Sequence, residues 1–393
     1  MRIGFLITVI CFFAGCDSRI ETFQPNEVFS LALSKARSTS TDAAGEDTSR
    51  VVEELYGTPD KPLWPDSLAA SRILGDERNL FRSSGPVSSE KDGTHLGLFR
   101  EHCVTCHALE GSGVGPASVF QNPYPRDFRH GVFKWKSTER GYKPTRDDIR
   151  GLLMKGIPGT AMPSFASLDP EDLDALVDYV VFLSARGEVE RRVIAAAIDE
   201  LDYEESAPDA ELVLTSQGNT EGAEVVQQVV DRVHADWADA EQHQVAVPSF
   251  AELSGEQLAD SVARGNDLFH GKVANCAGCH GPKGDGSLPT LDYDDWTKEY
   301  TTRIGVTPDD REAMKPFRAA GALRPRKIVP RTLQDGVFHG GGDPASLFLR
   351  ITQGIAGTPM PAVEVVDEPD GKGLTIDQVW DLVRYVQQLS PSR

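Results

Sequence analysis

Two five-residue stretches carry the chemistry of this sequence: "CVTCH" at 103–107 and "CAGCH" at 276–280. Cys-x-x-Cys-His is the attachment signature of c-type haem. The spacing follows from the reaction. Two thiols add across the two vinyl groups of one porphyrin, and the adjacent histidine reaches under the ring to the iron. Cys103, Cys106, Cys276 and Cys279 are therefore read as thioether positions, and His107 and His280 as iron ligands. Two other readings are weaker. A zinc site gathers four ligands, whereas these pairs lie 173 residues apart. A thioredoxin-like dithiol sits in a βαβ setting, and no such strand pattern surrounds either pair. Two covalently bound c-type haems are the expected cofactors.

The flanks of the two motifs match. Gly111, Gly113 and Pro116 follow His107 at the same offsets as Gly284, Gly286 and Pro289 follow His280. Glycines let the backbone turn tightly beside a flat ring. "PRDFRHGVF" (125–133) parallels "PRTLQDGVF" (330–338). Leu173, Leu176, Val177, Val180 and Leu183 recur at helical spacing, as do Val379, Leu382, Val383, Val386 and Leu389. Each half therefore ends in an amphipathic helix. Helix, haem motif, loops and closing helix, written twice, resemble class I cytochrome c in tandem. The resemblance implies that the Pro116 and Pro289 carbonyls accept a hydrogen bond from the histidine rings. Arg126 and Arg331, at matched positions after proline, are candidates to pair with haem propionates.

The repeat also covers a loop. "GIPGTAMPSF" (156–165) returns as "GIAGTPMPAV" (354–363). A lone loop methionine is usually a filler of apolar gaps. Two copies, Met162 55 residues after His107 and Met360 80 after His280, ask for a shared job. Methionine opposite histidine is the cytochrome c ligand set, and it raises the reduction potential. Met162 and Met360 are the expected second axial ligands. His130 and His339 do not align between the copies, and Met154 and Met314 have no repeat partner.

The remaining sequence positions these sites. The chain has 393 residues and a net charge of -20, which argues against nucleic-acid binding. Its first residues, "MRIGFLITVICFFAGC", read as a secretory signal over 1–15. Phe13-Ala14-Gly15-Cys16 resembles the bacterial lipoprotein box, which implies an acylated Cys16, export and a lipid anchor on the periplasmic side of the membrane. Residues 16–89 are expected to be a tether with a short helix over 26–36. Haem domains are expected at 90–186 and 253–393. Between them, 187–252 is expected to be an acidic helical linker: 187–250 holds 15 acidic and 3 basic residues. It reads as a solvated face or as a docking site for a basic partner. The basic run from Arg126 to Arg150 would serve propionates or an acidic partner.

The fold class expected is thus all-α, with two class I cytochrome c domains joined by an acidic linker. The function expected is electron transfer between a quinol-oxidising complex and a terminal oxidase or reductase, not enzymatic turnover. The alternatives are a dihaem peroxidase, which needs one iron that can open, and the dihaem c-type subunit of a terminal oxidase or dehydrogenase complex. A haem-stabilised scaffold module is a third.

Overall fold

The structure is a computed structural model and describes residues 21–65, 76–203, 211–288, 292–369 and 371–390. The signal segment and Cys16 lie outside the described residues. Helices dominate, and the only strands among the described residues are two short antiparallel pairs, Gly57–Thr58 with Lys61–Pro62 and Ser88–Ser89 with His95–Leu96. The all-α expectation holds. No helix among the described residues is long and apolar enough to cross a membrane.

The first unit is larger than its sequence suggests. Its closing helix does not stop at residue 186 but runs without a break over Pro170–Asp199. Pro170 fits the first turn, where its missing N–H costs nothing. Past residue 186 the helix stays buried through Val189, Val193, Ile194 and Ala197. The Glu221–Ala238 helix, capped by Thr220, lays Val226, Val230, Val233 and Trp237 against it. The two helical stretches, 187–199 and 221–238, are thus part of the first core rather than a solvated linker, while Val247 and Phe250 pack on the second core.

Its charges explain why the linker reading fails. Lys143 pairs with Glu188, Arg150 with Asp174, and Arg192 with Asp236 at 3.1 Å. Lys143 and Glu188 thus join the basic run to the acidic one, while Arg150 pairs with Asp174 outside the acidic run and Arg192 with Asp236 within it.

The expected tether is folded as well. Glu27–Arg37 forms a helix capped by Asn26, close to the expected one, and Asp42–Tyr56 forms a second. Phe23, Leu33, Val51, Val52 and Tyr56 join the same core as Phe99, Tyr179 and Phe182. Each such side chain contributes about 1.5–3 kcal/mol on burial, enough to hold a segment that looks loose in composition.

At the centre of this packing His234 is fully buried; its Nε2 lies 2.9 Å from the Tyr56 hydroxyl, and its ring stacks on Trp64 at 4.8 Å. Burial holds His234 down at about 4, with Asp231 opposing. An unfolded histidine titrates at about 6.5. Between those values the unfolded chain binds more protons, so stability rises with pH. Acidification from pH 7 to 4 should cost about 3 kcal/mol through this group. Urea unfolding across that range should show a shallower pH slope in His234→Gln; an unchanged slope would remove His234 as the cause.

The second unit is smaller. Gly255–His270 crosses the closing helix Ile376–Gln388 over a core of Phe269, Leu347, Phe348, Trp380, Leu382 and Val383. The second unit's longer stretch between its haem motif and its methionine loop includes two helices, Asp295–Glu299 and Arg311–Ala319. This insertion faces the first unit. Met314 and Phe317 pack on Ala32, and Glu299 pairs with Arg191.

Candidate haem sites

Each CxxCH forms one turn of helix. His107 N donates to Cys103 O at 2.8 Å, and His280 N to Cys276 O at 2.8 Å. The turn places the first cysteine and the histidine, four residues apart, on one face. All four thiols are free of disulfides. Burial pushes the Cys103 thiol up to about 12 and that of Cys276 to about 11. His107 is 9% exposed, and burial pushes it down to about 4; burial lowers His280 in the same direction. Neutral imidazole is the form that ligates a metal.

The ring partner differs from the expected proline carbonyl. His107 Nδ1 lies 3.1 Å from Arg126 O, and His280 Nδ1 lies 3.0 Å from Arg331 O. A carbonyl only accepts, so Nδ1 carries the proton and Nε2 is the nitrogen left free to ligate a metal. Pro116 is exposed, and Pro289 lies outside the described residues. The backbone supplies the reason. Gly113 N bonds back to His107 O at 2.9 Å and Gly286 N to His280 O at 2.8 Å. The Pro-Arg segments therefore pass close behind the ring. A Cβ at Gly113 would sit 2.6 Å from Pro125 O, and one at Gly286 2.8 Å from Pro330 O. Only glycine admits that approach.

The two arginines thus act first through their backbone. Their side chains also fit a haem. Among the described residues, Arg126 Nη1 and Arg331 Nε are buried without an acceptor. Burial pushes Arg126 down to about 10. Two unmatched guanidinium donors beside two CxxCH turns suit the carboxylates of propionates.

The methionine loops agree bond by bond. Gly156 and Gly354 end matched helices, Arg146–Lys155 and Pro344–Gln353, at φ 65 and 64. Ile157 N donates to Met162 O at 3.1 Å, and Ile355 N to Met360 O at 3.3 Å. Thr160 Oγ1 donates to Ile157 O at 2.8 Å and accepts from Met162 N at 3.1 Å. Thr358 repeats both bonds at 2.9 and 3.2 Å. These threonines fix the methionine backbone, a role the sequence reading missed. The signal was present: Thr is shared by both copies, in G-I-x-G-T-x-M-P. Both methionines are half-buried. Of the two methionines without a repeat partner, Met154 is 42% exposed and Met314 is buried in the insertion. His130 lies between Asp127 and Glu299, at 3.7 and 3.6 Å, away from ligand duty.

The sites also touch across the seam between units. The Arg126 guanidinium lies 4.0 Å over Trp296. That indole packs against Gly357 in the Met360 loop. In the other direction, a Cβ at Gly159 in the Met162 loop would lie 2.8 Å from Val337 and 3.3 Å from Arg331 Nη2. Each arginine therefore holds one histidine with its carbonyl and extends its side chain towards the other unit's methionine loop.

Comparisons with known proteins fall on the same segments. Residues 97–184 match the family model for cytochrome c. Residues 260–329 match that for cytochrome C oxidase, cbb3-type, subunit III. The two matches support a c-type cytochrome with two domains. Such domains bind covalent c-type haem, so the chain carries two, and their function is electron transfer. No curated protein matches this chain. Among solved structures, a chain of the Kuenenia stuttgartiensis reducing HAO-like protein complex is 23% identical. It matches with a TM-score of 0.46, over 78% of this chain and 99% of that one.

Proposed function

We propose that this c-type cytochrome is an exported, lipid-anchored electron carrier. It serves between a quinol-oxidising complex and a terminal oxidase or reductase. His107 and Met162 hold one iron, His280 and Met360 the other, and Cys16 carries the lipid. The observation that carries this reading is the duplicated methionine loop, with the same glycines, threonine and hydrogen bonds in both units. Haem supplies the one-electron chemistry when bound. The chain's own residues do the rest. Arg126 O and Arg331 O orient the histidines, and the threonine-braced loops would supply Met162 and Met360 as the thioether ligands. Two retained ligands mean little reorganisation on electron transfer and no open position for oxygen or peroxide.

Carbon monoxide tests this reading. The reduced protein should show two covalent haems per chain in a pyridine haemochrome assay. Its spectrum should not change under carbon monoxide, and it should not turn over hydrogen peroxide. Carbon monoxide binding at one haem together with peroxide turnover would instead make the chain a dihaem peroxidase. The match at residues 260–329 favours a second reading, a subunit of a terminal oxidase. A chain that leaves solubilised membranes only within a larger oxidase assembly would decide for it.

A further inference from the structure

We propose that the two haem sites are unequal by construction, with Arg140 making the second the resting place of the electron. The inference rests on Met360 as an iron ligand. The two loops share their internal bonds but not their surroundings. Arg140 of the first unit donates from Nη1 to Met360 O at 2.7 Å and from Nη2 to Thr358 O at 3.1 Å. Among the described residues, no side chain donates to the carbonyls of Met162 or Thr160.

The difference has a sequence origin. Residues 134–145 separate Phe133 from the helix leading to Met162, whereas only 339–343 separate Phe338 from the helix leading to Met360. Arg140 stands in the longer stretch and has no counterpart in the second unit. The stretch is firmly held. Glu139 N donates to His243 O at 3.0 Å, Thr138 Oγ1 to Lys143 O at 2.7 Å, and Tyr142 stacks on His243. Grip also comes from the other side. Arg350, on the helix leading to Met360, donates to Lys134 O at 2.7 Å and to Lys136 O. The matching position in the first unit is Leu152.

Two effects follow. A planar guanidinium bridging two carbonyls pins the backbone that carries the sulfur. Its charge also penalises the ferric state, which has one more positive charge than the ferrous state. The second site therefore holds an electron more tightly than the first. One electron leaves the first unit as the second takes it up, with no proton required. Arg140 is a positioning residue in this scheme, since it touches the loop and not the iron.

Potentiometric titration of the full-length holoprotein tests the inference, with the second haem's signal assigned through Met360→His. The second haem should be reduced first. Arg140→Gln should move the exchange constant between the haems about tenfold towards the first, the size expected of one charge roughly 10 Å away in a protein. The first haem's own potential should stay put, and Arg140→Lys should restore part of the shift. An unchanged exchange constant in Arg140→Gln, equal shifts at both haems, or a first haem that is reduced first would overturn the inference while leaving the ligand assignment standing. A Met360→His variant with the full wild-type sulfur band would instead remove the ligand assignment beneath it.

Discussion

Met360→His is expected to remove about half of the sulfur-to-iron charge-transfer band of the oxidised protein, with one of two thioether ligands lost. Met162→His should remove the other half, and the double variant should have none. Each single variant should also lower the potential of its own haem, on the order of one to a few tenths of a volt, inside the range of about 0.8 V that axial ligands span. The expectation is strong because the loops are preorganised. Thr160 and Thr358 tie the methionine N–H to the preceding turn, so the backbone keeps its course when the side chain changes. The effect should therefore stay local, with both haems still covalently attached. A double variant that keeps the wild-type band would refute both ligands together.

Glu188→Ala should be the most damaging single change away from the haems. Glu188 lies inside the first core, with its side chain 5% exposed. It pairs with the Lys143 ammonium and accepts from Trp237 Nε1 at 2.8 Å. Removing it leaves Lys143, 11% exposed, as a buried charge without its counter-ion. Such losses cost about 3–5 kcal/mol. The midpoint of denaturant unfolding should fall accordingly. Pairing Lys143→Met with Glu188→Leu should recover most of the loss, since two apolar groups need no counter-ion, while the Trp237 N–H left without an acceptor keeps about 1–3 kcal/mol of it. A Glu188→Ala midpoint close to wild type would mean that water reaches Lys143.

These two predictions mark what was legible in the sequence. The haem motifs and methionine loops are short, and everything that defines them lies within ten residues. Repetition then separates signal from filler. Met162 alone reads as a gap-filler; with Met360 it does not. The histidine partner was harder. Arg126 and Arg331 stand at different distances from their histidines, 19 and 51 residues, so no fixed offset points to them. Pro116, at a shared offset, was the visible but wrong choice.

The outer helices were illegible for a different reason. Residues 187–250 carry fifteen acids, and charge on a helix normally means solvent. Here Lys143 lies far up the chain from Glu188 and meets it only after folding. No local pattern announces such a pairing. The N-terminal helices hide their apolar residues among Ser, Thr and Asp, and Val51, Val52 and Tyr56 become a face only against Phe182 and Trp237. The seam between units was also invisible, because Arg140 and Met360 are 220 residues apart.

That separation sets an order of assembly. The stretch holding Arg140 is synthesised long before the Met360 loop. The first unit can close its core with the two outer helices already present. The second unit finds the Met360 and Thr358 carbonyls placed for the Arg140 guanidinium, which its own residues do not supply. The first unit is thus the template on which the second matures. Expressed alone, the second would reach its haem with an unfinished ligand loop.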